Sequence, residues 1–210
     1  MPPKHFNKAH VFGVVEETKT TKAGDGFVVK VILKSRSDQY GNVRAYCDLW
    51  NKNGTDFLAW HKDHRGEVIK LTGRLGKFEK DDGVVLSNFT IYEWEARPGA
   101  KQRVTAQLTG YVAMFREDED GQKTVTISVQ RPKAKSSDEV YEESFDIHIH
   151  ERDAARIGDL GAHFNQTVAC TVLYGRMDGY NVMTDEVEGP LALWLKEVKV
   201  HGGDNGDMPF

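Results

Sequence analysis

Cysteine is scarce in this sequence: Cys47 and Cys170 are the only two among its 210 residues, and they form no C-x-x-C pair. Each lies in a short apolar run that is typical of a strand. A disulfide between them would have to join the two halves of the chain. We therefore expect two reduced thiols that are packed in apolar cores.

Long apolar runs are also missing. No stretch of about 18 apolar residues occurs, so we expect no membrane-spanning helix and no membrane partner. The first residues, Met1-Pro2-Pro3-Lys4-His5, lack the apolar core of a secretory signal. These absences favour an intracellular protein, and we expect it to be cytoplasmic.

Motifs that carry catalysis are absent: G-x-x-x-x-G-K-[ST], G-x-S-x-G and H-E-x-x-H do not occur. The pairs His61-x-x-His64 and His148-x-His150 lack a third ligand at a spacing that suits zinc. We expect no metal, no cofactor and no enzymatic activity. A metal-dependent nuclease that acts on single strands is kept as an alternative hypothesis.

A strong excess of either charge is lacking too, since the net charge is −4. Residues 1–100 contain 16 Lys and Arg against 13 Asp and Glu, whereas residues 101–210 contain 12 against 19. The first half is mildly basic and the second is acidic, which indicates unequal roles for the two halves.

What the sequence does contain is a repeated pattern of strands. β-branched runs punctuated by Gly and Asp predict strands over residues 11–17, 27–34, 46–50, 68–75 and 84–94, with a short helix over 55–64. The second half repeats this pattern, with a predicted helix over 153–160. The positions predicted to be equivalent are Gly13 and Gly110, Val31 and Val129, Trp50 and His150, Val68 and Val168, and Gly73 and Gly175.

A period near 100 residues indicates duplicated domains rather than a solenoid. Five strands with a helix between the third and fourth is the order of the OB fold. We therefore predict an all-β protein with two tandem five-stranded OB barrels over residues 1–98 and 101–201, each with one short helix, followed by an acidic tip over 202–210. A pair of β-sandwiches is the rival, but it needs about seven strands per domain.

The first copy resembles the bacterial and phage single-stranded DNA-binding protein family. The resemblance rests on Tyr46-Cys47-Asp48-Leu49-Trp50, a short helix, and then Gly66-Glu67-Val68 continuing to Gly73-Arg74-Leu75. It covers about 80 residues and implies sequence-independent binding of single-stranded DNA in replication, recombination or repair. The alternative is an OB-fold protein-interaction or structural accessory module that does not bind nucleic acid.

The last residues extend the resemblance, because the family ends in an acidic tip that closes with an apolar residue, Pro and Phe. The matching positions here are Asp204, Asp207, Met208, Pro209 and Phe210. The resemblance implies that this tip recruits replication or repair proteins. The tip has fewer carboxylates than usual, the family's long Gly/Pro/Gln-rich linker is missing, and the tandem arrangement differs from the common single-barrel members. These departures suggest a phage or plasmid relative or an unusual bacterial one, and a homo-oligomer is possible.

Side-chain alternation along the strands predicts which residues face a bound strand. Val29, Val31 and Leu33 should face the core, as should Cys47 and Leu49, and their neighbours should face outward. Cations that follow phosphates and rings that stack on bases are what a single strand needs. The candidate contacts in the first copy are Lys30, Lys34, Arg36, Arg44, Tyr46, Trp50, Arg74, Lys77, Phe78 and Trp94. Those in the second copy are Arg116, Arg131, Tyr174 and Arg176.

Overall fold

The structure is a computed structural model that describes residues 5–37, 41–79, 85–132, 140–176 and 191–201. The fold is all-β, as predicted. The described residues form ten strands: β1 Phe6–Ala23, β2 Gly26–Ser37, β3 Gly41–Trp50, β4 Val68–Glu79, β5 Val85–Ala96, β6 Arg103–Glu117, β7 Lys123–Pro132, β8 Val140–Ile149, β9 Thr167–Arg176 and β10 Leu191–His201. The helices are α1 Asn51–His61, α2 Glu151–Ile157 and the 3-10 helix Leu160–His163.

Strands β1 to β5 form the first barrel, in the order β2-β3-β5-β4-β1, and the additional pairing of β1 with β2 closes it. All its pairs are antiparallel except β3–β5, which is parallel. Alternate residues of β2 and β3 point into the barrel, where they are buried as predicted. Helix α1 follows β3 and contributes Phe57 to this core.

Strands β6 to β10 form the second barrel, in the order β6-β7-β8-β10-β9, and β9 also pairs with β6. Strands β8 and β10 pair in parallel. The chain divides into two compact units, one of Lys8–Ala106 with Tyr174–Leu191 and the other of Met1–Asn7, Gln107–Leu173 and Ala192–Phe210. None of the described helices is long and apolar enough to cross a bilayer.

Both helices begin earlier than the sequence predicts. Helix α1 starts at Asn51 directly after β3, not at Thr55. The Thr55 hydroxyl lies 3.3 Å from the carbonyl oxygen of Asn51, so it bonds the preceding turn instead of capping the helix. Helix α2 starts at Glu151, and the predicted stretch over 153–160 is divided between α2 and the 3-10 helix.

Gly13 and Gly110 occupy equivalent positions in the two barrels, as the sequence repeat predicts. A Cβ on Gly13 would lie 2.6 Å from the carbonyl oxygen of Lys34, and one on Gly110 would lie 2.2 Å from that of Ser128. Both distances are too short for any side chain, so glycine allows the first strand of each barrel to approach the second closely.

The first strand of each barrel then carries a β-bulge, between Val15 and Glu17 in β1 and between Val112 and Met114 in β6. The extra residue at this point is Glu16 in the first barrel and Ala113 in the second. A bulge bends the strand and redirects a side chain.

The prediction that Val129 is the counterpart of Val31 is wrong. Val31 pairs with Cys47 in the first barrel, whereas Val125 pairs with Ile147 in the second. Since Cys47 and Ile147 precede their helices by the same number of residues, the counterpart of Val31 is Val125. Alternating Val residues make neighbouring registers of a strand look alike in sequence, which explains the error of four residues.

Both cysteines are free and buried, in agreement with the expectation of reduced core thiols. Burial raises the pKa of the Cys170 thiol to about 12 and also raises that of Cys47. Neither group is a thiolate at neutral pH, so neither offers a nucleophile.

Candidate nucleic-acid interface

The outer surface of β2 carries the predicted cations. Val29, Val31 and Leu33 are almost completely buried, so the alternation of the strand directs Lys30 and Lys34 to the outer side. Arg36 is also exposed, near the end of the same strand. The predicted orientation of β2 is confirmed.

The outer surface of β3 carries two exposed rings. Cys47 and Leu49 are buried, whereas the Tyr46 side chain is 37% exposed and that of Trp50 is 45% exposed. Trp50 is the residue that precedes helix α1, but its exposure shows that it does not pack beneath the helix. Arg44 points to the same side as the two rings, as predicted. Large exposed rings on one face of a sheet are typical of a binding surface.

The pairing of β2 with β3 fixes how these side chains are arranged. Lys30 lies opposite Asp48, Ile32 opposite Tyr46, and Lys34 opposite Arg44, while Trp50 lies opposite Val28. We call the outward side chains of these two strands the β2–β3 face; they are Lys30, Ile32, Lys34, Arg36, Arg44, Tyr46, Asp48 and Trp50.

Rings and cations alternate along the β2–β3 face. Because a strand rises about 3.3 Å per residue, Tyr46 and Trp50 are about 13 Å apart along β3. Stacked bases in one strand of a duplex are about 3.4 Å apart. Two rings with this separation therefore suit alternate bases of an extended strand better than neighbouring bases of a duplex.

The adjoining strands continue this surface. Thr90 of β5 pairs both with Asp48 and with Arg74 of β4, which places Arg74 in the same row as Lys30. Lys77 is exposed towards the end of β4. The side chain of Phe78 lies outside the described residues.

The electrostatics of the face depend on two carboxylates. Asp48 is half-buried, and burial raises its pKa while the charge of Lys30 opposes that shift. Glu16 forms two hydrogen bonds with Arg44, 2.6 Å from Nε to Oε2 and 3.0 Å from Nη2 to Oε1. The bond from Arg44 is the main reason why the pKa of Glu16 is lowered. Sequence reasoning missed Glu16, because 28 residues separate it from Arg44.

Trp94 does not lie with the two exposed rings. It packs against Phe57 and Trp60 of α1, with ring centroids 5.6 and 5.2 Å away. His61 stacks on Phe57, and His64 stacks on Trp60. We call Phe57, Trp60, His61, His64 and Trp94 the α1 cluster. A β-bulge opposite Thr72 and Gly73 precedes Trp94 and explains why alternation could not assign its face.

Tyr174 is also placed differently from the prediction. Its side chain is 4% exposed and contacts the edge of Phe89 at 5.9 Å between ring centroids. Burial raises the pKa of its phenol well above the usual range. A ring enclosed in this way offers no free face to a base, so the prediction that Tyr174 stacks on bases is wrong. The side chain of Arg176 lies outside the described residues.

The matching face of the second barrel has a different chemistry. The strand register matches Lys30, Lys34 and Arg36 with Thr124, Ser128 and Gln130. It matches Arg44, Tyr46 and Trp50 with Ser144, Asp146 and His150. Ser128 and Ser144 bond each other across the strands at 2.6 Å. Asp146 accepts a hydrogen bond of 2.7 Å from Thr126, the counterpart of Ile32. The second face is therefore polar and acidic, and its side chains form hydrogen bonds with one another across the strands.

The predicted cations of the second barrel bond carboxylates. Arg116 bonds Asp146 at 2.9 Å, and Arg131 lies 3.7 Å from Glu143 with its guanidinium 4.7 Å from the ring centroid of Tyr141. These pairs reduce the positive charge that either arginine presents to a phosphate.

Two further sequence predictions concern the tip and metals. The tip residues Asp204, Asp207, Met208, Pro209 and Phe210 lie outside the described residues. Within the described ranges, no three His, Cys, Asp or Glu side chains are grouped so as to hold a metal ion.

Comparison with known proteins gives a match in fold only. No family model matches the chain, and no curated protein matches its sequence. Among solved structures, the wild-type single-stranded DNA binding protein from Thermus aquaticus matches with a TM-score of 0.65 at 9% identity, covering 99% of this chain and 98% of that one. A deletion mutant of the same protein matches with a TM-score of 0.62 at 10% identity, covering 97% and 98%.

Proposed function

We propose that this chain binds single-stranded DNA without sequence preference, and that the β2–β3 face of the first barrel makes the main contact. The observation that carries the proposal is the pair of exposed rings, Tyr46 and Trp50, alternating with Lys30 and Lys34. Every base has a ring face, so stacking tolerates any sequence, and the cations follow the phosphates. The fold shared with the Thermus aquaticus protein, whose name describes this activity, supports the proposal.

The role of the second barrel follows from the same comparison. Its matching face replaces the cations and exposed rings by Thr, Ser, Gln, Asp and His. We therefore assign the larger share of the affinity to the first barrel. The protein acts in this proposal as a binding and protecting protein in replication, recombination or repair, not as an enzyme, and its tip over residues 202–210 recruits partner proteins.

Tryptophan fluorescence tests the proposal directly. Titration with oligo-dT should quench part of the emission. Trp50→Phe should remove most of the quenching, because Trp60 and Trp94 pack in the α1 cluster and are not part of the β2–β3 face. Trp194→Phe is the matched control, since Trp194 is 4% exposed and should contribute little to the change.

A second measurement separates binding from its optical signal. The anisotropy of a labelled oligo-dT should rise with protein and fall again as salt is added. No rise at low salt would contradict the proposal and favour the protein-interaction module. Strand cleavage that requires Mg²⁺ would instead favour the nuclease.

A further inference from the structure

The ion pair between Glu16 and Arg44 spans a whole strand of the first barrel. Glu16 is in β1 and Arg44 is in β3, and β2 lies between these strands because it pairs with both of them. To reach Glu16, the guanidinium must pass over the outer surface of β2, where Lys34 lies opposite Arg44. The charge of Lys34 also contributes to the lowered pKa of Glu16. The carboxylate therefore bonds one cation of the β2–β3 face, Arg44, and is influenced by the charge of a second, Lys34.

The place of Glu16 is set by the β-bulge in β1. The register of β1 with β2 passes from Val15 to Glu17, which leaves Glu16 as the inserted residue. In the second barrel the inserted residue is Ala113, and the counterpart of Arg44 is Ser144. The first barrel, which has the exposed rings, therefore has both Glu16 and Arg44. The second barrel has Ala113 and Ser144 at these positions.

A cleft lies beside the Glu16 member of the pair. A cleft of about 250 Å³ is lined by Glu16, Lys34 and Arg36, together with Val14, Val15 and Gln102. The amide oxygen of Gln102 accepts a hydrogen bond of 2.7 Å from the backbone nitrogen of Arg36 and so fixes one side of the cleft. Two cationic side chains and one carboxylate therefore meet at one opening.

We infer that Glu16 is an internal anion in the position of a backbone phosphate, and that a bound single strand displaces it from Arg44. This inference rests on the proposed function. A carboxylate that accepts two bonds from a guanidinium uses the same donors that a phosphate would use. The bound phosphate then lies between Arg44 and Lys34, in the opening lined by Arg36.

Displacement has two measurable consequences. The strand must break an existing ion pair, so Glu16 weakens binding, and removing its charge tightens it. Exposed ion pairs have energies that correspond to about a two- to fivefold change in affinity. Second, the released carboxylate attracts a cation from solution, which offsets part of the counterion release that drives binding. Without that charge, the logarithmic salt dependence steepens by up to about 0.7, the value for one phosphate of a single strand.

The test compares Glu16→Gln with Glu17→Gln, which removes the same charge one residue away. Affinity for labelled oligo-dT is measured over a range of salt concentrations, after circular dichroism has shown that both variants are folded. We expect Glu16→Gln alone to bind two- to fivefold tighter at low salt and to show the steeper dependence. Equal tightening by both variants would overturn the inference, because it would show an effect of overall charge.

A double-mutant cycle with Arg44→Gln shows whether the two residues act together. In the Arg44→Gln background, Glu16→Gln should tighten binding less than it does in wild type, since the guanidinium donors it competes for are gone and only the charge of Lys34 remains. An unchanged gain in that background would also overturn the inference. If wild type and all variants fail to bind oligo-dT, the proposed function itself falls, whereas binding by wild type without a specific effect of Glu16 defeats only this inference.

Discussion

Trp50 and His150 occupy the same place in the two barrels, each directly before the helix that follows the third strand, yet their rings have different surroundings. The Trp50 side chain is 45% exposed. His150 lies 5.9 Å from the ring centroid of the buried Trp194, and its Nδ1 accepts a 3.3 Å hydrogen bond from the backbone nitrogen of Arg152. The ring at one position is therefore exposed, and the ring at the other caps a helix.

This difference predicts unequal effects of alanine on binding. Trp50→Ala should weaken oligo-dT binding by about 1–3 kcal/mol, the usual contribution of one stacked base. His150→Ala should have a much smaller effect on binding. Anisotropy titrations of both variants against wild type give the comparison, and equal losses would show that the barrels contribute alike.

Lys34→Gln should weaken binding to all sequences by a similar factor. A lysine that contacts phosphate carries no sequence information, and its loss should reduce the logarithmic salt slope by about 0.7. Lys62→Gln is the control, because Lys62 is exposed just beyond α1 and is not part of the β2–β3 face. Identical slopes for the two variants would argue against Lys34 as a phosphate contact.

Trp94→Ala should reduce stability more than binding. Trp94 packs in the α1 cluster, and removing such a ring from a partly buried site costs about 2–4 kcal/mol of unfolding free energy. Tyr92→Ala is the control, since the Tyr92 side chain is 58% exposed. Urea unfolding measures the first effect. A Trp94→Ala variant that is stable but binds poorly would contradict this prediction and show that Trp94 contributes to binding.

The unfolding free energy should fall as the pH is lowered below about 6.5. Burial lowers the pKa of His148 below its ordinary 6.5, although Asp146 and Asp118 oppose the shift and Arg116 adds to it. The pKa values of His5, His10, His61 and His150 are lowered too, in each case mainly by burial. Below the unfolded pKa, the unfolded state takes up protons that the folded state resists, so acid destabilises the fold.

His148→Gln tests the contribution of one of these groups. Urea unfolding between about pH 7.5 and 5.5 should show a shallower decline in the variant than in wild type. Parallel declines would show that His148 is as easily protonated in the folded state as in the unfolded state.

Deletion of residues 204–210 should abolish partner recruitment and leave single-strand binding intact or slightly tighter. A buried ring is the usual anchor of such an interface, so removing Phe210 alone should have most of the effect, while the carboxylates of Asp204 and Asp207 mainly assist association. A pull-down from host lysate compares the full chain with the variant that lacks Phe210. Recovery of the same proteins by both would contradict a role for the tip.

The orientation of the β2–β3 face could be predicted from sequence because strand alternation is a local rule. Val29, Val31 and Leu33 mark the inner side of β2, and Cys47 marks that of β3, so the outward position of Trp50 follows at once. The two barrels could be predicted as well, because the glycine needed for close approach recurs at Gly110.

Features that depend on a break in the alternation could not be predicted. The bulge in β5 hides the face of Trp94, and the bulge in β1 directs Glu16 towards Arg44. The burial of Tyr174 depends on a contact with Phe89, which is 85 positions away in sequence. Such long-range contacts leave no local pattern.

The parallel pairing of β3 with β5 has a consequence for how the first barrel folds. It joins Tyr46 to Asn88 and Leu49 to Ile91, residues 42 positions apart, whereas β2 pairs with β3 as neighbours in the chain. Local hairpins form early, and contacts that close long loops form late and slow the reaction. Tyr46 belongs to both kinds of pair. The surface around it is therefore completed only when the barrel closes, so a nascent or partly unfolded chain does not present the β2–β3 face that the proposed binding requires.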